Sequence, residues 1–255
     1  MILAPDSLAG QSILVTGATG GIGQAITLCL AAAGARVGIH YAANSARAES
    51  LLQEIGGAGW IVQGDLSTRE GPTQLWEDAL AAAGRIDGMV MNAGLRTRAE
   101  IGGGHAAWRD AWELEMAVNL LAPADLLRAA LPHFRETGSG RIVSIASRAA
   151  QRGYMEDYLP YGASKAALIN LTKSVARNWS KDGVIAVTVS PGFVHAGMAD
   201  AYIAEHGYAA TAADIPTGKL VSAEELAATV GFCLVPGNMA VNGATIDLNG
   251  GSYIR

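Results

Sequence analysis

The sequence predicts a three-layer α/β protein, a doubly wound seven-stranded parallel sheet with helices on both faces. Two observations carry this. Short apolar runs alternate with longer segments of helical period, which is the signature of βαβ units. The runs are also nearly unbroken in Val, Ile and Leu, as expected of strands covered on both faces.

The first run, 13–15, leads into Thr16-Gly17-Ala18-Thr19-Gly20-Gly21-Ile22-Gly23 and a helix predicted over 24–33. Further runs at 37–41, 60–63, 89–91, 142–146, 185–189 and 244–248 supply the other six strands. Among the intervening segments, 108–128 and 161–179 carry the clearest helical pattern. The segment 195–218, rich in alanine with Tyr202, His206 and Tyr208, fits this plan poorly. Its place after the sixth strand, on the side where ligands sit in open α/β sheets, predicts a substrate lid. No Pro-rich or charged linker and no repeat interrupts the series, so one domain over 1–255 is expected.

Composition narrows the function classes. Half of the 255 residues are hydrophobic, yet no apolar run approaches the roughly 20 residues that would span a bilayer. The N-terminal Met1 to Asp6 has no basic stretch or long apolar core, so no signal peptide is evident and a cytoplasmic location is expected. A net charge of −5 without a basic block argues against nucleic acid or an anionic membrane as partner. Cys29 and Cys233 lie in apolar helical patterns and belong to no Cys-x-x-Cys or Cys/His arrangement. Both read as core thiols, and neither a metal site nor a disulfide is expected.

Gly17, Gly21 and Gly23 follow a predicted strand and open a predicted helix, the context in which a glycine-rich turn binds a dinucleotide. Missing side chains let the pyrophosphate approach the backbone, and the helix N-terminus offers unpaired N–H groups. Tyr161-Gly-Ala-Ser-Lys165 sets a phenol and an ammonium four residues apart on one helix face. A neighbouring cation favours the phenolate, which suits Tyr161 to proton transfer. Ser147 ends the fifth strand upstream, so both hydroxyls can reach the carboxyl edge of the sheet.

Taken in order, Thr16-Gly-x-x-x-Gly-Ile-Gly23, Asp65, Asn92-Ala93-Gly94, Val118-Asn119, Ser147, Tyr161-x-x-x-Lys165 and Pro191-Gly192 resemble the classical short-chain dehydrogenases/reductases over essentially the whole chain. The resemblance is to carbonyl reductases and 3-oxoacyl reductases of that family. It implies a Rossmann fold, a nicotinamide cofactor, a carbonyl or secondary-alcohol substrate and a homotetramer. It also implies a catalytic group of Asn119, Ser147, Tyr161 and Lys165. Tyr161 would protonate the carbonyl oxygen, Ser147 would hydrogen-bond it, Lys165 would hold ribose hydroxyls, and Asn119 would position a water linking Lys165 to solvent.

For the cofactor, the resemblance points to Gly17, Thr19, Gly21, Ile22 and Gly23 in the first turn and to Tyr41, Asn44 and Ser45 after the second strand. Asp65 and Leu66 would border the adenine. Asn92, Ala93 and Gly94, the Tyr161 and Lys165 pair, and Pro191, Gly192 and Val194 complete the set. The segment 39–47 has no acid to accept from a ribose and repel a 2′-phosphate, while Asn44, Ser45 and Arg47 can serve a phosphate. NADP(H) is therefore favoured, with NAD(H) open, and the bland reading of Asn44 or Ser45 is an N-cap.

Ser144 competes with Ser147, and Tyr158 competes with Tyr161 because Tyr158 to Lys165 has the spacing of the divergent enoyl reductases. Strand alternation favours Ser147, and the Tyr-Gly-Ala-Ser-Lys sequence favours Tyr161. Asn119 has its own bland reading, a helix interruption bonded to nearby backbone. Two departures stand out: Met91 where the family usually has Asn, and Ala196 where it usually has Thr or Ser. On them rests a second reading, a dinucleotide-binding regulator with little turnover. Arg96, Tyr154, Tyr158, His195 and Tyr202 are the pocket candidates, and Arg141 is the one arginine offered to an acidic carrier protein ahead of the Ser147 strand.

Overall fold

The structure, a computed structural model, describes residues 3–196 and 198–255. Gly197, inside the expected lid, and the first two residues of the N-terminal stretch lie outside the described residues. The chain alternates as read: β1 (Ser12–Val15), α1 (Gly21–Ala32), β2 (Arg36–Tyr41), α2 (Ser45–Glu54), β3 (Gly59–Gln63), α3 (Gly71–Ala83) and β4 (Gly88–Met91). The second half runs α4 (His105–Met116), α5 (Ala122–Thr137), β5 (Gly140–Ile145), α6 (Ala149–Arg152), α7 (Leu159–Trp179), β6 (Val184–Pro191), α8 (Met198–His206), α9 (Tyr208–Ala212), α10 (Ala223–Leu234) and β7 (Thr245–Leu248).

All seven strands form one parallel sheet in the order β3-β2-β1-β4-β5-β6-β7. The order reverses between β1 and β4, and the carboxyl ends of those strands open the crevice in which such sheets bind ligands.

Strand side chains alternate between the two faces, which is why the apolar runs are unbroken. Ile13 and Val15 pack with Ile26 and Leu30 of α1 and Leu226 and Val230 of α10. Leu14, between them, packs on the other face with Leu75, Leu126, Phe134 and Leu168 of α3, α5 and α7. Cys233 is buried in the first core, whereas Cys29 is only partly buried at its margin.

Two local signals differ from the sequence expectation. α1 begins at Gly21 rather than Gln24, so the glycines themselves form its first turn. The 108–128 stretch is not one regular helix: a π-helical turn, Ala117–Leu121, joins α4 to α5. The segment 195–218 folds into α8 and α9, where Ala212 and Ile215 pack with Leu220 and Phe193.

Candidate active site

The first turn after β1 needs its glycines. Gly17 has φ +62, and a Cβ there would lie 3.0 Å from the Ala93 Cα; a Cβ on Gly23 would fall 2.1 Å from the Gly17 carbonyl oxygen. A side chain of β2 and one just beyond β4 then fix the loop. The Gly17 N–H donates to His40 Nδ1 at 2.9 Å, which leaves Nε2–H to donate to the Gly64 carbonyl at 3.0 Å. Asn92 Nδ2 donates to the carbonyls of Thr16 and Gly17 at 2.9 and 3.1 Å, and Thr16 Oγ1 accepts from the N–H groups of Asn92 and Ala93. His40 was not singled out in the sequence, because its partners lie 23 and 24 residues away. Burial lowers its pKa, with the Gly64 bond opposing.

A groove of about 490 Å³ runs from this loop across the sheet edge. Gly17, Thr19, Gly21, Ile22, Gly23, Tyr41, Asp65, Leu66, Asn92, Ala93 and Gly94 line it. Its wall reaches Tyr41 and Ala42 and stops short of Asn44 and Ser45. The bland reading holds for Asn44: its Oδ1 accepts from the Arg47 N–H as the N-cap of α2, and the Arg47 guanidinium donates to Gln24 Oε1. At the far end, bonds from the Ser67 N–H and hydroxyl hold the Asp65 carboxyl below its usual range. α1 has no side-chain cap and no acid in its first turn, so its first N–H groups stay available to an anion. These residues fit a dinucleotide, whose pyrophosphate the N-terminus of α1 would hold.

Ile22, Asn92, Gly94 and Ala196 line both this groove and a second cavity of about 110 Å³. Ser147, Tyr161 and Lys165 share the second cavity with Arg96, Arg148, Tyr154, Pro191, Gly192, Phe193 and Val194. Ser147 stands just beyond β5 and is buried. Ser144, its rival, is spent in the core against Thr172 Oγ1 at 2.7 Å. Tyr158 does not line the cavity; the Arg96 guanidinium lies over its ring, 4.8 Å from the centroid. Tyr154 is in the wall, its ring 5.3 Å from that of Tyr161.

Asn119 lies behind the cavity at the π-helical turn, fully buried. Its Oδ1 accepts from the Leu95 N–H at 2.9 Å, and its Nδ2 donates to the Leu95 carbonyl, Glu115 Oε1 and Ser164 Oγ. The helix interruption is real, but these bonds tie Asn119 to the loop after β4 and to α7 rather than to neighbouring backbone alone. Glu115, one turn earlier, also accepts from the Thr97 N–H at 2.7 Å. Burial raises its pKa, opposed by the Thr97 bonds and by the charges of Lys165 and Arg96. A carboxylate four residues before Asn119 was a legible signal that the sequence reading missed.

The expected bias of Tyr161 toward ionisation by Lys165 is not what the structure shows. Burial pushes the Tyr161 phenol up to about 12, with the Ser147 hydroxyl and Arg96 opposing. Lys165 donates to the Ile145 carbonyl at 2.9 Å, and its Nζ lies 6.0 Å from the Tyr161 ring centroid. Burial brings Lys165 itself down to about 8.

Two further pocket candidates lie outside this wall. His195 packs edge-on to Tyr208 at 6.4 Å, and Tyr202 stacks on Phe193 at 5.2 Å beside an adjoining cavity that also contains Arg148, Arg152 and Asp214. Arg141 is not a landing surface: it is buried, and its guanidinium donates to the carbonyls of Asn238 and Pro236.

A family model described as Enoyl-(Acyl carrier protein) reductase matches residues 17–253. The chain is 32% identical over 240 residues to an acetoacetyl-CoA reductase of Rhizobium meliloti, covering 94% of this chain and 97% of the relative. It is 33% identical to the short-chain dehydrogenase/reductase FrzI of Cladobotryum sp., covering 97% of each. A crystal structure of a 3-oxoacyl (acyl-carrier-protein) reductase from Agrobacterium tumefaciens with NADP bound superposes with a TM-score of 0.88 at 31% identity, covering 96% of this chain and 95% of that one.

Proposed function

The chain belongs to the short-chain dehydrogenase/reductase family, and on that premise we propose that it transfers hydride between NADP(H) and a carbonyl or secondary-alcohol substrate, with Tyr161 as general acid and base. One observation carries the reading: Ser147, Tyr161 and Lys165 meet in a single cavity that opens into the dinucleotide groove. NADPH supplies the hydride for the carbonyl carbon when bound.

The protein supplies the rest. With its pKa at about 12, Tyr161 is neutral at pH 7 and holds the proton that the carbonyl oxygen takes up. The Ser147 hydroxyl donates to the same oxygen. Lys165 serves the ribose hydroxyls from its place beside Gly94, and Asn119 anchors the path by which a water links Lys165 to solvent. The segment 195–218 serves as lid, tied to the body where the His195 N–H donates to the Val221 carbonyl. NADP(H) is favoured by the absence of an acid after β2 and by the NADP found in the structural relative.

The enoyl chemistry in the description of the family model would make Tyr158 the acid, and its absence from the cavity wall supports the carbonyl reading instead. Exposed Leu121 and Leu159, beside α4 and on α7, support a homotetramer through those helices. Tyr161→Phe is expected to bind NADPH normally, by fluorescence titration, and to lose at least about a thousandfold in NADPH oxidation. Unchanged turnover would overturn the mechanism. A monomer by light scattering would reject the tetramer.

A further inference from the structure

Neither hydride nor proton transfer accounts for Arg96 and Arg148. Both line the reaction cavity with Lys165, and no carboxylate among the described residues lines it. Lys165 is bonded to the Ile145 carbonyl and assigned to the ribose hydroxyls, so the two guanidiniums are the cations left to the substrate.

Arg148 directly follows Ser147 and is only 7% exposed, yet its Nη1 makes no hydrogen bond among the described residues. Asp214 offers it only a long ion pair, Oδ2 lying 3.5 Å from Nη1, and that oxygen also accepts from Arg152 Nη1 at 2.9 Å. Phe193 covers the guanidinium face at 4.9 Å. Arg96 is half-buried between two phenols, donating to Tyr154 Oη at 2.9 Å and lying over the Tyr158 ring. Arg148 is therefore held by an aromatic face and a long, shared ion pair, and Arg96 by two phenols. A buried donor left open is costly, and the planar fork of a guanidinium matches a carboxylate with two parallel bonds.

We propose that the substrate is a small oxo acid, its carboxylate held by Arg148 and Arg96 while its carbonyl oxygen meets Ser147 and Tyr161. This rests on the carbonyl-reduction reading above. A cavity of about 110 Å³ suits a molecule of a few carbons. In the step, the oxo acid gains a hydride at the carbonyl carbon and the Tyr161 proton at the oxygen. NADPH becomes NADP+, Tyr161 is reprotonated from solvent, the product is the hydroxy acid, and the carboxylate is unchanged.

The test compares kcat/KM with NADPH for 2-oxobutanoate, acetoacetate and levulinate against their methyl esters and against acetoacetyl-CoA. At least one acid should exceed its ester by about tenfold or more, the scale of a charge-assisted bond. Arg96→Gln and Arg148→Gln should each narrow that ratio, with NADPH affinity reporting that the fold is intact. Esters or acetoacetyl-CoA used as well as the acids, or variants that leave the acid-to-ester ratio unchanged, would overturn the proposal while leaving carbonyl reduction standing. NADPH binding without turnover of any of these and of a wider ketone panel would overturn both.

Discussion

Replacing Lys165 with Met removes the charge from the proposed catalytic group and keeps the unbranched stem. Burial lowers the Lys165 pKa from 10.5 to about 8, so folding with that ammonium charged at pH 7 costs about 3 kcal/mol. Against the gain stands the Ile145 carbonyl, which loses its 2.9 Å donor, worth about 1 kcal/mol. Lys165→Met should therefore be about 2 kcal/mol more stable than the parent at pH 7 while losing turnover. The pH dependence gives the sharper signature. The folded-state pKa is depressed, so the unfolded chain binds more protons between pH 8 and pH 10.5 and parent stability rises across that window. The variant's advantage should accordingly close by about pH 10. Urea unfolding without cofactor, at equal protein concentration and at pH 7, 8.5 and 10, measures the difference. A parent more stable than Lys165→Met at pH 7, or a gap that does not shrink with pH, would refute the burial argument.

Three other perturbations probe the groove and the buried carboxylate. The depressed folded-state pKa of His40 means that its contribution is present above pH 6.5 and is lost as pH falls from there toward the folded value; NADPH affinity and stability should weaken together in that window, and His40→Phe should weaken binding by about tenfold at pH 7.5, by fluorescence titration. Gly23→Ala drives a methyl to within 2.1 Å of the Gly17 carbonyl oxygen and should lose NADPH binding along with about 1–3 kcal/mol of stability by denaturant melt. Glu115→Gln removes the charge that opposes the lowering of Lys165, so any Lys165-dependent limb of the kcat–pH profile should move to lower pH; an unmoved limb denies the coupling.

The sheet was legible because two-sided burial writes strands as unbroken apolar runs, and every strand was found within a residue or two of its expected place. Ser147, Tyr161 and Lys165 were legible because one element end or one helix turn places each of them. What escaped depends on distant partners. His40 looks like any residue of a buried strand until Gly17 and Gly64 meet it. The π-helical turn at Asn119 was only half legible: Pro123, four residues on, has no N–H for the Asn119 carbonyl, but the Asn119 side chain's bonds across to Leu95 appear only on folding. Asn44 was read two ways, and the local interaction took its side-chain oxygen because the Arg47 N–H lies three residues on whatever the groove contains. Nothing in the sequence around Arg148 marks it, and only folding shows its Nη1 buried without a hydrogen bond among the described residues.

The reaction cavity also shows why charge lists mislead at buried sites. Among the described residues three cations and no acid line it, a setting in which a phenol would ordinarily be pulled toward its anion. Tyr161 goes the other way because the cost of burying a phenolate exceeds the help that Arg96 and Ser147 give it. An anionic substrate seated on the two arginines would cancel part of their field and push Tyr161 further toward its neutral form. Carboxylate recognition and proton donation then work together: the ligand that the arginines select is the one that keeps the proton on Tyr161 until the carbonyl oxygen takes it. In the reverse direction the hydroxy acid meets a tyrosine that must first ionise against the same burial. The oxidative rate should therefore climb with pH well beyond the point at which the reductive rate is level.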